Sequence, residues 1–185
     1  IKNIFLKLKD ISIIGIADIS SNIISATFWF FIAYIVNVKD YGEISYFLAI
    51  GILVSTISLI GAPNFLMIYI PKRIKIQAPV FAIVCTIGIF SSTILYFIFL
   101  KIELSFLIFG FIIFNLVVSE LLGLKMYKSY LKYTIFQKIL MVTLSIGTYY
   151  LIGSSGIILG ISLSYFPYIV RIIKSLKEDR FELAL

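Results

Sequence analysis

The sequence predicts an all-α, polytopic membrane protein with six transmembrane helices. Of its 185 residues, 61% are apolar and only 14% are charged, against about half and about a quarter in globular domains. The mean hydropathy is +1.10, and long stretches carry no charge. Because a helix needs about 20 apolar residues to cross the hydrocarbon of a bilayer, these stretches predict membrane spans.

Five charge-free stretches mark the spans in chain order. They cover residues 19–38, 44–71, 76–100, 104–119 and 139–170. The last stretch is too long for one span, and its segment Gly153-Ser154-Ser155-Gly156 is a turn signal that divides it in two. We therefore predict six helices, with approximate bounds of 16–37, 44–62, 79–100, 103–122, 134–152 and 156–173.

Prolines and one glycine predict where these helices begin, bend or end. Pro79 suits the first turn of the third helix, where a missing N–H group costs nothing. Gly61 and Pro63 are expected to bend or end the second helix. Pro167 is expected to kink the sixth helix.

The positions of the basic residues support six helices. Cytoplasmic loops near membrane helices carry an excess of Lys and Arg. In a six-helix arrangement, 14 of the 16 basic residues fall on one side, namely Lys2, Lys7, Lys9, Lys72, Arg73, Lys75, Lys125, Lys128, Lys132, Lys138, Arg171, Lys174, Lys177 and Arg180. Only Lys39 and Lys101 fall on the other side. We therefore expect a multi-pass protein of the cell membrane with both ends of the chain cytoplasmic.

The composition also excludes several kinds of chemistry. The chain has one cysteine, Cys85, and no histidine, so disulfide frameworks, thiolate or imidazole metal sites and histidine-assisted nucleophiles lack their residues. We expect no enzymatic activity, no metal and no other cofactor. The net charge is +7, and the basic residues that produce it lie between apolar runs. Their expected partners are therefore the anionic headgroups of membrane lipids and not nucleic acid.

Polar residues of the first helix form the main candidate site. At 100° per residue, one stripe about 100° wide, which lipid should not face, contains Asp18, Ser21, Asn22, Ser25 and Trp29. Trp29 lies about 16 Å beyond Asp18, too deep for an interfacial tryptophan. Its indole could stack on a sugar ring in a hydrated groove. The alternative is that Asp18 marks the cytoplasmic edge, paired with Lys9 or Arg73, and that Ser21 and Ser25 are small residues for close helix packing.

The fourth helix carries two further candidates, Asn115 and Glu120. Asn115 is expected near mid-depth, where an interhelical hydrogen bond is the simpler explanation for an amide. Glu120 is expected at the cytoplasmic mouth, where Lys125 or Arg73 could neutralise it.

Short motifs in the chain resemble one family of membrane transporters. Segment 34–43, YIVNVKDYGE, resembles the junction of helices 1 and 2 in polysaccharide-biosynthesis flippases of the multidrug, oligosaccharidyl-lipid and polysaccharide exporter superfamily. The Tyr41-Gly42 pair carries this match. Segments 58–61 (SLIG), with Gly61, and 153–160 (GSSGIILG), with Gly156, support it. Many members have Arg where this chain has Tyr34, so no role of that Arg is carried over.

The resemblance implies the fold and the function. Members of the family have two six-helix lobes around a central cavity and work by alternating access to the two membrane faces. This chain would be the amino-terminal lobe and would require a carboxy-terminal lobe that it does not contain. The implied activity is translocation of a lipid-linked oligosaccharide or polysaccharide repeat unit, and the resemblance does not identify the coupling ion.

Two other functions remain open at this point. An ion-coupled exporter of small amphiphilic molecules would share the lobe architecture, so only a substrate assay separates it from a flippase. A non-transporting membrane scaffold should lack a polar stripe facing a cavity. Because the basic residues are expected at the membrane surface and not at mid-depth, a neutral or weakly charged saccharide is favoured.

Overall fold

The computed structural model describes the backbone of residues 2–74 and 76–175, and the side chains from Asp10 onward within these ranges. This part of the chain contains seven α-helices and no strand. The helices are α1 (Lys2–Ile35), α2 (Val38–Leu59), α3 (Ala62–Tyr69), α4 (Gln77–Phe99), α5 (Ile102–Gly123), α6 (Tyr127–Ile152) and α7 (Ser154–Leu163). Short 3₁₀ turns follow α3 at Ile70–Lys72 and α7 at Phe166–Tyr168, and residues 169–175 are again helical.

The predicted fold class and the count of six are confirmed. Six helices are long and apolar enough to cross a membrane: Asp10–Ile35, Val38–Leu59, Gln77–Phe99, Ile102–Gly123, Tyr127–Ile152 and Ser154–Ser175. Each overlaps one predicted span, but several begin earlier, α6 at Tyr127 instead of residue 134. Hydropathy marks only the stretch that needs hydrocarbon, whereas the helical backbone continues through charged positions beyond it.

Several of the positions at which helices were predicted to begin, bend or end are confirmed. Pro79 lies in the first turn of α4, as predicted. A cap that was not predicted lies at Asn37, whose side-chain oxygen accepts a hydrogen bond from the backbone N–H of Asp40 at 2.8 Å. At the other end of α2, Gly61 has φ +74°, a conformation open to glycine, and Pro63 lies in the first turn of α3. Pro167 lies in the 3₁₀ turn that interrupts the sixth span.

Helix α5 is the centre of the bundle. It packs against α2, α4 and α7, and α3 lies along its last turns. Gly123 makes this last contact possible, because a Cβ atom there would lie 3.0 Å from the carbonyl oxygen of Leu66. Helix α6 packs against α7 on one side and α1 on the other, so α1 is joined to the bundle mainly through α6.

The hydrogen bonds between helices fix their relative directions. Asp18 and Ile35 of α1 bond Tyr130 and Tyr149 of α6, so these two helices run the same way. The α6–α7 hairpin brings Thr148 to within 2.6 Å of the carbonyl oxygen of Gly156. A Cβ atom at position 156 would lie 2.3 Å from the carbonyl oxygen of Thr148, so close packing of the two helices requires Gly156.

The bundle has two chemically different ends. At one end, which we call the basic end, Arg171 pairs with Glu120, and a small pocket joins Asp10 to Lys125 and Lys128. At the other end, which we call the far end, Lys101 pairs with Glu43 beside Asp40 and the start of α7. The bundle thus separates the basic residues as the sequence predicts, within the part of the chain that is described.

Candidate functional site

The candidate site is the space that opens between α1 and α2 as these helices diverge, which we call the cleft. The two helices leave a tight junction at Asn37 and then diverge, because α1 packs on α6 while α2 packs on α5 and α4. Close to the junction, the Trp29 and Tyr41 rings meet edge to face, with centroids 6.2 Å apart. Otherwise α1 and α2 make very few contacts with each other. The cleft is therefore closed at the far end and opens toward the basic end.

The wall formed by α1 carries the four residues predicted for the site. Asp18 and Asn22 are exposed, and Ser25 and Trp29 are half-buried. They lie along one margin of α1, beside the buried face formed by Ala17, Phe28 and Ile32. The structure therefore brings the four residues together on one side of the helix, where Asp18, Asn22 and Trp29 lie next to its packing face and the Ser25 hydroxyl is buried within it.

Asp18 has a different partner from the two expected. Its carboxylate accepts a hydrogen bond from the Tyr130 hydroxyl at 2.5 Å, which joins α1 to α6. This contact holds the part of α1 near the basic end against α6, and Asp18 itself stays exposed. Asn22, one turn further, makes no side-chain hydrogen bond within the described part of the chain. Its amide is therefore available to a ligand in the cleft.

The wall formed by α2 was not predicted from the sequence. The exposed residues within about 80° of Tyr41 around the helix axis, toward the end of α2, include Ser45, Ala49, Thr56 and the apolar Ile52. They therefore continue the side of α2 that meets Trp29. A detectable signal existed, because small or polar residues follow Tyr41 at helical spacing, but the same pattern is typical of helix packing.

The two candidates on the fourth span, now α5, lie outside this cleft. Glu120 is 2% exposed and pairs with Arg171 at 3.3 Å, so the expected partners Lys125 and Arg73 are wrong. Sequence spacing could not reveal this partner, which follows 51 residues later in the chain. Asn115 donates to the carbonyl oxygen of Phe111 in its own helix at 2.9 Å, and the interhelical bond expected for it is not formed.

The four junction residues of the resemblance have separate structural roles. Tyr41 meets Trp29 across the cleft, Gly61 supplies the left-handed turn after α2, and Gly156 permits close contact of α7 with α6. Gly42 is exposed, and a Cβ atom there would meet no atom within 4 Å. Backbone conformation therefore explains Gly61 and close packing explains Gly156, whereas neither explains Gly42.

Buried polar atoms without partners lie behind the wall formed by α1. The Ser25 hydroxyl and the Gln137 side-chain carbonyl are buried and make no hydrogen bond to any described residue. The orientation of the Gln137 amide follows from the bonds of Ser164. The Ser164 hydroxyl donates its hydrogen to the Ile161 carbonyl oxygen, so it can only accept a bond from Gln137, and the atom 3.1 Å away is the Gln137 nitrogen. Ser25 and Gln137 each lie seven residues after the bonded pair Asp18 and Tyr130, so they share one level of the bundle.

Lys138 is a basic residue in the interior of helix α6. It is the twelfth residue of α6, which has 26 residues, and it is half-buried within the helix. Lys138 has no ion pair or hydrogen bond within the described part of the chain. A lysine in a membrane span is costly, and it indicates a functional role or contact with water or headgroups.

The fold defines this chain as an all-α, multi-pass membrane protein. Comparison with protein-family models, with curated proteins and with solved structures finds no match to the chain.

Proposed function

We propose that this chain is one lobe of a membrane transporter that moves a lipid-linked oligosaccharide or polysaccharide repeat unit by alternating access. The observation that carries the proposal is the cleft between α1 and α2. An unbonded amide is exposed there and an indole is half-buried on a membrane helix, where lipid alone would favour apolar side chains. Polar groups could hold sugar hydroxyls, and the Trp29 ring could stack on the apolar face of a sugar.

Alternating access would use the unequal ends of the cleft. At the far end, the ring contact of Trp29 with Tyr41 and the Asn37 cap hold α1 and α2 together. At the basic end, α1 is held by the bond from Tyr130 to Asp18. The conformation described here would thus admit substrate from the side of the basic end, and a second lobe would complete the cavity. The resemblance of segment 34–43 to the flippase junction supports this proposal.

We also propose that the basic end is cytoplasmic and that the membrane is the cell membrane, because basic residues are retained on the cytoplasmic side. Single cysteines in a Cys85→Ser background test this orientation in intact cells. An impermeant thiol reagent added outside should label Asp40→Cys and Ser154→Cys and should leave Lys128→Cys unlabelled. The reverse pattern would show that the orientation is inverted.

The transport proposal is tested with Trp29→Ala and Asp18→Asn. The full-length protein is reconstituted in liposomes, and translocation is scored by lectin access to a lipid-linked oligosaccharide. Phe30→Ala is the matched control, because Phe30 is the next residue and is 79% exposed on another side of α1. We expect Trp29→Ala to lose most translocation, Asp18→Asn to lose less, and the control to keep its rate.

Thermal unfolding in detergent separates a site from a packing role. Truncation of a fully buried tryptophan costs about 3 to 5 kcal/mol, whereas Trp29 is only half-buried. We therefore expect a smaller loss of stability than of activity. Normal translocation in both variants would refute the site, and parallel losses of stability and activity would assign Trp29 to packing. Export of small amphiphiles without translocation of the saccharide would favour the exporter.

A further inference from the structure

An apolar groove runs along the outside of the contact between α1 and α6, separate from the cleft between α1 and α2. It has a volume of about 330 Å³. On α1 it is lined by Ile23, Thr27 and Phe31, which are spaced four residues apart and form one row. On α6 it is lined by Val142 and Ile146, which also lie four residues apart. The groove thus lies between two parallel rows of side chains.

Lys138 continues the row on α6 toward the basic end. It precedes Val142 by four residues, one turn of the helix. Tyr149, eleven residues after Lys138 and about 20° away around the axis, donates to the Ile35 carbonyl oxygen of α1 at 3.2 Å. Lys138 is therefore on the side of α6 that faces α1, one turn before the α6 lining and level with the α1 row between Ile23 and Thr27.

The charge of Lys138 has no counter-charge in its surroundings. Helix α6 contains no acidic residue, and α1 contains only Asp10 and Asp18. Asp18 accepts the hydrogen bond of Tyr130, and Asp10 lies in the pocket with Lys125 and Lys128. The buried carboxylate Glu120 pairs with Arg171. An anion from outside the chain would complete this site.

The geometry matches a lipid of the leaflet at the basic end. Lysine side chains in helices point toward the amino end, which in α6 is the basic end, so the ammonium group can reach the headgroup region. The lining residues Val142 and Ile146 lie about 6 and 12 Å deeper than Lys138. A phosphate on Lys138 would therefore place an acyl chain along the groove.

We propose that the groove between α1 and α6 holds one anionic phospholipid, with its phosphate on Lys138 and an acyl chain between the two rows. The occupant is a bilayer phospholipid because the groove faces outward from helices that span the membrane, and its negative phosphate complements the unpaired lysine. This lipid would join α1 to α6 on the side of α1 away from the cleft. The proposal does not depend on the transported substrate.

Native mass spectrometry of the purified full chain, titrated with phosphatidylglycerol or phosphatidylcholine, tests the proposal. We expect one phosphatidylglycerol to bind at least about fivefold more tightly than phosphatidylcholine, and Lys138→Gln to remove that difference. Lys138→Arg should keep it. Lys132→Gln is the control, because Lys132 is an exposed lysine of the same helix outside the groove lining, and it should bind as the unchanged protein does.

A second variant tests the groove independently of the charge. Thr27→Trp fills the groove and should weaken both lipids while Lys138 is intact; thermal unfolding checks that each variant is folded. Unchanged phosphatidylglycerol binding in Lys138→Gln, an equal loss in Lys132→Gln, or no effect of Thr27→Trp would each overturn the proposal. Displacement of phosphatidylglycerol by an equimolar polyprenyl phosphate would overturn the assignment to a phospholipid and identify a carrier lipid as the occupant.

Discussion

Helices α1 and α5 are both long and apolar enough to cross a membrane, yet the protein surrounds them very differently. In α5, 50% of the apolar membrane-spanning stretch is buried inside the bundle, whereas in α1 the buried share of the corresponding stretch is 17%. Each helix also carries a carboxylate near the basic end. Glu120 of α5 is buried and paired with Arg171, whereas Asp18 of α1 is exposed and bonded to a tyrosine hydroxyl.

This difference indicates where structure and function are divided in the molecule. On α5 the polar groups are bonded to protein: Glu120 to Arg171, Asn115 to Phe111, and Ser119 to the carbonyl oxygen of Asn115. On α1 the amide of Asn22 and the hydroxyl of Ser25 have no partner among the described residues. Polar groups that the fold does not use are the better candidates for binding a ligand, so substitutions should affect stability at α5 and transport at α1.

The largest effect is expected where the ion pair of α5 is broken. Arg171→Met leaves Glu120 buried without a partner and should lower the free energy of unfolding by about 3 kcal/mol, measured by SDS titration in mixed micelles. Lys101→Met is the matched control, because it removes the partner of the exposed Glu43 and should change little. The double variant Glu120→Leu/Arg171→Met should recover most of the loss. Equal effects of the two single variants would contradict the contrast between α5 and the surface.

The next effect compares a glycine of α5 with one of α1. A Cβ atom at Gly110 would lie 2.9 Å from the Cβ atom of Tyr165, so Gly110→Ala should cost about 1 to 3 kcal/mol through overpacking. A Cβ atom at Gly15 meets nothing within 4 Å, and Gly15→Ala should stabilise α1 by about 0.5 to 1 kcal/mol. The same SDS titration measures both variants. A loss at Gly15 as large as that at Gly110 would mean that α1 packs more tightly than described.

A third comparison lies within α1 itself. Ile32 is fully buried and Phe30 is 79% exposed, so Ile32→Ala should destabilise the protein by about 2 kcal/mol and Phe30→Ala should have little effect. The physical reason is lost packing against α6, since exposed apolar side chains of a membrane helix exchange one apolar contact for another. The thermal midpoint in detergent is the measurement. A larger loss for Phe30→Ala would place a further protein surface on that side of α1.

The smallest effect is expected for two buried serines. Ser162 of α7 donates to the Ile158 carbonyl oxygen at 2.7 Å and lies 3.2 Å from that of Glu103 on α5, so Ser162→Ala should cost about 0.6 kcal/mol. The Ser25 hydroxyl of α1 bonds to nothing, so Ser25→Ala should leave stability unchanged or slightly higher. Unfolding in mixed micelles resolves the two. Clear destabilisation by Ser25→Ala would reveal a hydrogen bond, and with it a structural role for this hydroxyl.

Several features could be predicted from the sequence because they depend on local chemistry. Charge-free length determines the six spans, since hydrocarbon tolerates only a helix whose backbone bonds are internal. Gly61 and Pro63 determine the break after α2, since they restrict or release the backbone at their own positions. Helical periodicity placed Asp18, Asn22, Ser25 and Trp29 on one side of α1.

Only the tertiary structure decided which side of each helix is covered and which polar groups are satisfied. Hydropathy cannot distinguish a helix surrounded by protein from one surrounded by lipid, because both environments favour apolar side chains. The partner of Glu120 is 51 residues away, and the opposite wall of the cleft is formed by α2. Whether Lys138 is a surface residue or lies within a span depends on where α6 begins. These properties arise from contacts between segments distant in sequence, which local composition and spacing do not contain.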